Sequence, residues 1–124
     1  MQARNSRNAQ GIDVSHWQGT IDWKKVAAAG ISFVFIKATQ NSIDNNFLDY
    51  VKGAKAAGLL VGAYHYVDDS VINADLARAA AQTFYKAIQA AGGVGTFDLP
   101  PVMDYESNKS KLSKATITVV AKAF

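Results

Sequence analysis

One glutamate occurs in the 124 residues, Glu106, and it stands in the stretch Leu-Pro-Pro-Val-Met-Asp-Tyr-Glu-Ser, residues 99–107, two positions after Asp104. Every other acid of the chain is an aspartate. If residues 102–106 run as a strand, side chains alternate between faces, so Asp104 and Glu106 point the same way with Cα atoms roughly 6.5–7 Å apart. Two like charges at that range raise one pKa, and a carboxyl kept protonated near neutrality can act as a general acid. The plain alternative is a pair of solvated surface acids. What else gathers around the pair decides between them.

Stepping along the chain, four apolar segments alternate with helix-like ones. Residues 11–15 (GIDVS) precede a short helix that Asp22 can cap and Gly30 can end. Residues 31–39 (ISFVFIKAT) form a β-branched and aromatic run, a buried strand, followed by a helix predicted over residues 44–57 with Gly58 as its stop. Residues 59–67 (LLVGAYHYV) make the third strand, and Asn73 can cap a long alanine-rich helix ending near Gly92 and Gly93. The fourth strand follows Pro100 and Pro101, and Ser113 caps a last helix. Continuous apolar strands alternating with helices predict an α/β fold of parallel β/α units, either a doubly wound sheet or a (β/α) barrel. No glycine-rich phosphate loop follows the first strand, which argues against a nucleotide-binding doubly wound sheet.

In either architecture the polar residues at the C-terminal ends of the strands share one rim. The first strand brings Asp13, Ser15, His16 and Trp17, the second Lys37, the third Tyr64, His65 and Tyr66, and the fourth Asp104 and Glu106. Carboxylates beside aromatic faces suit a carbohydrate: the acids do proton transfer and stabilise positive charge, and the rings stack on sugars. Other readings are weaker. Ser15 and His16 are sequence neighbours, which turns their side chains apart and disfavours a serine nucleophile. His16 and His65 read as structural histidines, and no HExxH-type spacing suggests a metal. Lys37 is expected to pair with one of the carboxylates. Trp23 reads as core, and Trp17 as core or platform.

Composition excludes several classes. The net charge of +3 is carried by scattered lysines and arginines without a basic stripe, so a nucleic-acid partner is not expected. No segment reaches about 18 uninterrupted apolar residues, so no membrane span is expected. Without cysteine there is no disulfide framework. Residues 1–10 are polar, lack the apolar core of a secretory signal peptide, and read as a flexible lead-in to a domain over 11–124.

The blocks GIDVSHWQGTIDW, FVFIKAT, GAYHY and PVMDYE, in this order, resemble the glycoside hydrolase family 25 muramidases, or Chalaropsis-type lysozymes. The resemblance implies a parallel (β/α) TIM-like barrel and cleavage of the β-1,4 bond between N-acetylmuramic acid and N-acetylglucosamine in bacterial cell-wall peptidoglycan, with no cofactor. It implies Glu106 as general acid, Asp104 as the partner carboxylate acting on the 2-acetamido group, Asp13 as a further catalytic acid, and Tyr64 as a substrate-binding aromatic. Trp17, Tyr66 and Lys37 are the other substrate-binding candidates at that rim. Two departures stand out. Gln40 and Asn41 replace the Glu-Gly that often follows Lys-Ala-Thr in the family, and four β/α units amount to about half of a barrel that usually needs roughly 200–250 residues. The strand count thus predicts a truncated domain and self-association through an unpaired sheet edge. Two other functions fit less of the pattern: a non-catalytic glycan-binding module, and a fragment inert without its other half.

Overall fold

The computed structural model describes residues 5–124. Strand β1 (Gln10–Val14) leads through a 3-10 turn at His16–Gln18 into helix α1 (Trp23–Ala28). Then come β2 (Ile31–Thr39), α2 (Phe47–Ala56), β3 (Leu60–Tyr66), α3 (Ala74–Ala90), β4 (Val102–Asp104) and α4 (Lys114–Ala123). The caps are those the sequence suggests. Asp22, Asn73 and Ser113 each accept from a backbone amide three residues on, which satisfies a donor that a helix start leaves free. Of the expected lead-in, residues 1–4 lie outside the described residues. The Asn8 amide closes a turn on the Asn5 carbonyl, and Gln10 already belongs to β1.

Strands β1 and β3 differ from expectation by one residue at each end, and two further boundaries differ for reasons that matter to function. Helix α2 begins at Phe47, three residues after Asp44, because the Asp44 carboxylate is engaged by His16 and by the Asn46 amide. Strand β4 ends at Asp104, so Glu106 is not a strand residue and the alternation argument for a shared face does not apply to it. The chain beyond Asp104 is drawn instead to the loop after β3, where Asp69 holds it.

The four strands form one parallel sheet in the order β1-β2-β3-β4. Alternation gives the sheet two unlike faces. Ile12, Val14, Val34, Ile36, Ala38, Val61 and Ala63 point to one face and pack with residues of α1, α2 and α3. Met103 continues this face, packing with Val120 of α4. Phe33, Phe35, Tyr64, Val102, Asp13 and Asp104 belong to the other face by register. The helices therefore lie on one side. On the other, the Phe33 ring lies over Gly11 of β1 and the Phe35 ring over Gly62 of β3, so that a Cβ at either glycine would run into the ring. Because every strand runs the same way, the C-terminal ends of all four meet along one rim.

Candidate active site

Asp104 and Glu106, two residues apart in sequence, line one cleft together with Asp13, Phe35, Tyr64 and Val102. The cleft has a volume of about 440 Å³. It continues into a neighbouring hollow that adds Trp17, Lys37, Gln40 and Tyr66. The seven catalytic and substrate-binding candidates, Asp13, Trp17, Lys37, Tyr64, Tyr66, Asp104 and Glu106, are thus brought to one place, although β4 stops short of Glu106.

Each is positioned by a local device. Register sets Tyr66 against Asp104 and Tyr64 against Val102, and the Val67 amide donates to the Asp104 carbonyl at 2.9 Å. Past the strand, the Asp69 carboxylate accepts from the Ser107 hydroxyl at 2.8 Å and from the Lys109 amide at 2.7 Å, and the Asp69 carbonyl accepts from Ser110. These bonds fix the segment that follows Glu106. At the end of β1 the Ser15 amide donates to Gln18 at 2.6 Å, and Ser15 Oγ accepts from the Trp17 amide. That tight turn commits Ser15 to the backbone and leaves Trp17 80 % exposed, so Trp17 is not a core residue. Trp23 is the core tryptophan, edge-on to Tyr50.

Electrostatics distinguish the members. The carboxyl of Asp104 is pushed above the usual aspartate range, first by burial, then by the charges of Glu106 and Asp13, with Lys37 acting in the opposite sense. Tyr64 is held far above the ordinary tyrosine value by burial and by Asp13, Asp104, Asp44 and Glu106, so its hydroxyl stays protonated and able to donate. The ion pairs among the described residues are His16–Asp44 and Arg78–Asp75, which leaves Asp13, Asp104 and Glu106 with no cation in contact. A cluster of acids without a neutralising partner is suited to proton transfer and to stabilising a developing cation.

Lys37 does not pair with a carboxylate as expected. Its ammonium donates to Gln40 Oε1 at 2.7 Å and lies 5.3 Å from the centre of the Tyr66 ring. Gln40 in turn donates to Asp68 at 2.7 Å. Glutamine serves both contacts, whereas a glutamate could not donate to Asp68. The bonds from Ser70 and Gln40 hold Asp68 down at about 2. The histidines part company. His65 is fully buried, its Nδ1 2.6 Å from the Thr39 hydroxyl, against Phe84 and Phe124. Burial, with Lys37 adding to it, lowers its pKa to about 4, so it is a neutral core residue at pH 7. His16 sits at the rim, half-exposed and bonded to Asp44. Sequence reasoning missed Asp44 and Asp69, and noted Gln40 as a departure without finding its contacts. The doublet Asp68-Asp69 directly after an apolar strand was the readable signal for one of them.

The family model for glycosyl hydrolases family 25 matches residues 12–124. Lysozyme M1 of Streptomyces globisporus is 41% identical over 111 residues, which cover 86% of this chain and 35% of that protein. The N,O-diacetylmuramidase of Chalaropsis sp is 31% identical over 126 residues, covering 93% and 57%. Among solved structures, the bacterial lysozyme from Streptomyces coelicolor superposes with a TM-score of 0.74 at 33% identity, over 97% of this chain and 57% of that one. The chain spans from about a third to somewhat over half of the length of these relatives.

Proposed function

Because the chain belongs to glycosyl hydrolases family 25, we propose that it carries the acid cluster of a muramidase that cleaves peptidoglycan between N-acetylmuramic acid and N-acetylglucosamine. The observation that carries this reading is the convergence of Asp13, Asp104, Glu106 and Tyr64 on one cleft with no cation in contact with the three acids. Glu106, the exposed acid of the pair, gives its proton to the leaving glycosidic oxygen. The raised carboxyl of the pair is Asp104 and not the donor Glu106; once ionised, Asp104 accepts a hydrogen bond from the 2-acetamido N–H, so that the acetamido oxygen can attack the anomeric carbon. Glu106 then accepts a proton from the water that opens the cyclic intermediate. Tyr64 donates its phenolic proton to an oxygen of the sugar in the cleft, Asp13 adds negative charge opposite the developing oxocarbenium ion, and Trp17 and Tyr66 offer faces to neighbouring rings.

The same reading takes the four units as part of a TIM-like (β/α) barrel. Helices on a single face support this, as does an opposite face of phenylalanine rings laid over glycines, the face a barrel turns inward. A non-catalytic glycan-binding module accounts for Trp17 and Tyr66 but gives no reason for a half-buried carboxyl that shares its cleft with two other acids. Digestion of purified peptidoglycan by the protein, followed by analysis of the new reducing ends, tests the function. Reducing-end N-acetylmuramic acid is expected. Reducing-end N-acetylglucosamine, or release of stem peptides with intact glycan, would contradict it.

A further inference from the structure

Next to the acid cleft lies a second pocket of about 260 Å³, lined by His16, Lys37, Gln40, Ser42, Asp44 and Asn45 among others. Lys37 and Gln40 line both hollows, so the two communicate. Its chemistry is opposite to that of the cleft. The one acid in its lining that is buried, Asp44, has a side chain only 2% exposed and is already occupied. One oxygen accepts from His16 Nδ1 at 2.7 Å and from the His16 amide at 3.2 Å, and the other accepts from the Asn46 amide at 3.1 Å. That carboxylate fixes the imidazole, so Nε2 is the nitrogen left for a ligand. Lys37 gives one of its three N–H bonds to Gln40, and two are left over. The pocket therefore offers a fixed imidazole and an ammonium, with hydroxyl and amide groups from Ser42 and Asn45, and no unengaged acid among those lining residues.

An anion fits this set, and a muramyl residue in the adjoining cleft presents one at its lactyl arm, on the lactyl group itself where the stem is absent and on the attached peptide where it is present. We propose that the pocket receives a carboxylate borne on the lactyl arm of the substrate, with Lys37 and the Nε2–H of the doubly protonated His16 ring as its donors. This rests on the peptidoglycan reading above and adds the part of the substrate that the acid cleft does not contact. It also gives Gln40 a purpose: a neutral side chain there leaves the charge of Lys37 available, where a glutamate would neutralise it.

Calorimetric titration of the protein with three soluble ligands tests the assignment. They are N,N′-diacetylchitobiose, which has no lactyl arm, the N-acetylglucosaminyl-N-acetylmuramic acid disaccharide with its free lactyl carboxylate, and that disaccharide bearing a dipeptide stem. At least one carboxylated ligand is expected to bind about tenfold more tightly than chitobiose, as a charge-assisted hydrogen bond implies. The ligand that gains identifies the source, the lactyl carboxylate or the stem. His16→Asn, whose amide can still donate to Asp44, should abolish the gain and leave chitobiose affinity unchanged. In the unsubstituted protein, the His16 ring resonances should move with the carboxylated ligand and not with chitobiose, a readout that does not require the variant to fold. Equal affinity for all three ligands would overturn the pocket assignment and leave the glycan reading standing. No binding of any would overturn both.

Discussion

The two faces of the sheet are built from the same strands and do opposite work. On the helix side, Val34, Ile36, Ala38, Val61 and Ala63 are at most 1% exposed, and the one titratable strand residue there, His65, is kept neutral. On the other side, neighbouring positions of the same strands carry Asp13, Lys37, Tyr64 and Asp104, with a carboxyl whose pKa is raised by burial and then by its acidic neighbours. A period of two lets a single strand serve stability with one set of residues and chemistry with the other. Changes to one face should thus register in melting and changes to the other in turnover.

The largest effect is expected on the packed face. Phe47 of α2 is fully buried and stacks with Phe97, so Phe47→Ala should cost about 3–5 kcal/mol in denaturant titration. A loss under 1 kcal/mol would mean that this face does not hold the fold. The histidine on the same face ties stability to pH. His65 is protonated near 6.5 when unfolded and only at about 4 when folded, so the unfolded chain binds more protons between those values. Stability is therefore lost as pH falls from 6.5 to 4, by about 3 kcal/mol from this group. His65→Gln should flatten the fall, and parallel curves for the two proteins would refute the assignment.

Smaller effects should come from the open rim. Asp69→Ala frees the segment after Glu106 and is expected to lower kcat about tenfold, with KM little changed, while Asp69→Asn, which keeps one acceptor, recovers part of it. Equal activity in all three would show that Asp69 does not position the acid. The smallest is a gain. A carboxyl whose folded pKa is raised makes the folded state less stable as pH rises through that value. Asp104→Asn should therefore melt slightly higher than the parent at pH 7 and lose that advantage in acid, while turning over more slowly. A lower melting temperature at neutral pH would contradict the strained carboxyl.

How much of this was legible in the sequence follows from the range of each interaction. Strand β2 runs over the same residues, 31–39, that its β-branched and aromatic run predicts, because a buried strand advertises itself locally. The rim was legible for the same reason: parallel β/α units fix where strand ends lie, so Asp13, Tyr64 and Asp104 could be placed before any coordinates. What was missed is non-local. Asp44 looks like a helix cap until His16, 28 residues earlier, is seen to engage it. Asp69 reaches 38 to 41 residues to hold the segment after Glu106, and no periodicity reports such a bond. The end of β4 was misplaced because apolar pattern cannot tell where ladder bonding yields to a loop held by side chains.

The central claim is that Glu106 donates the proton, and its isosteric amide addresses it most directly. Turnover of purified peptidoglycan by the Glu106→Gln protein should fall at least about a hundredfold, the lower bound for removing a general acid, with the circular dichroism and melting temperature of the parent. A variant within threefold of the parent would contradict the account and move the acid elsewhere in the cleft.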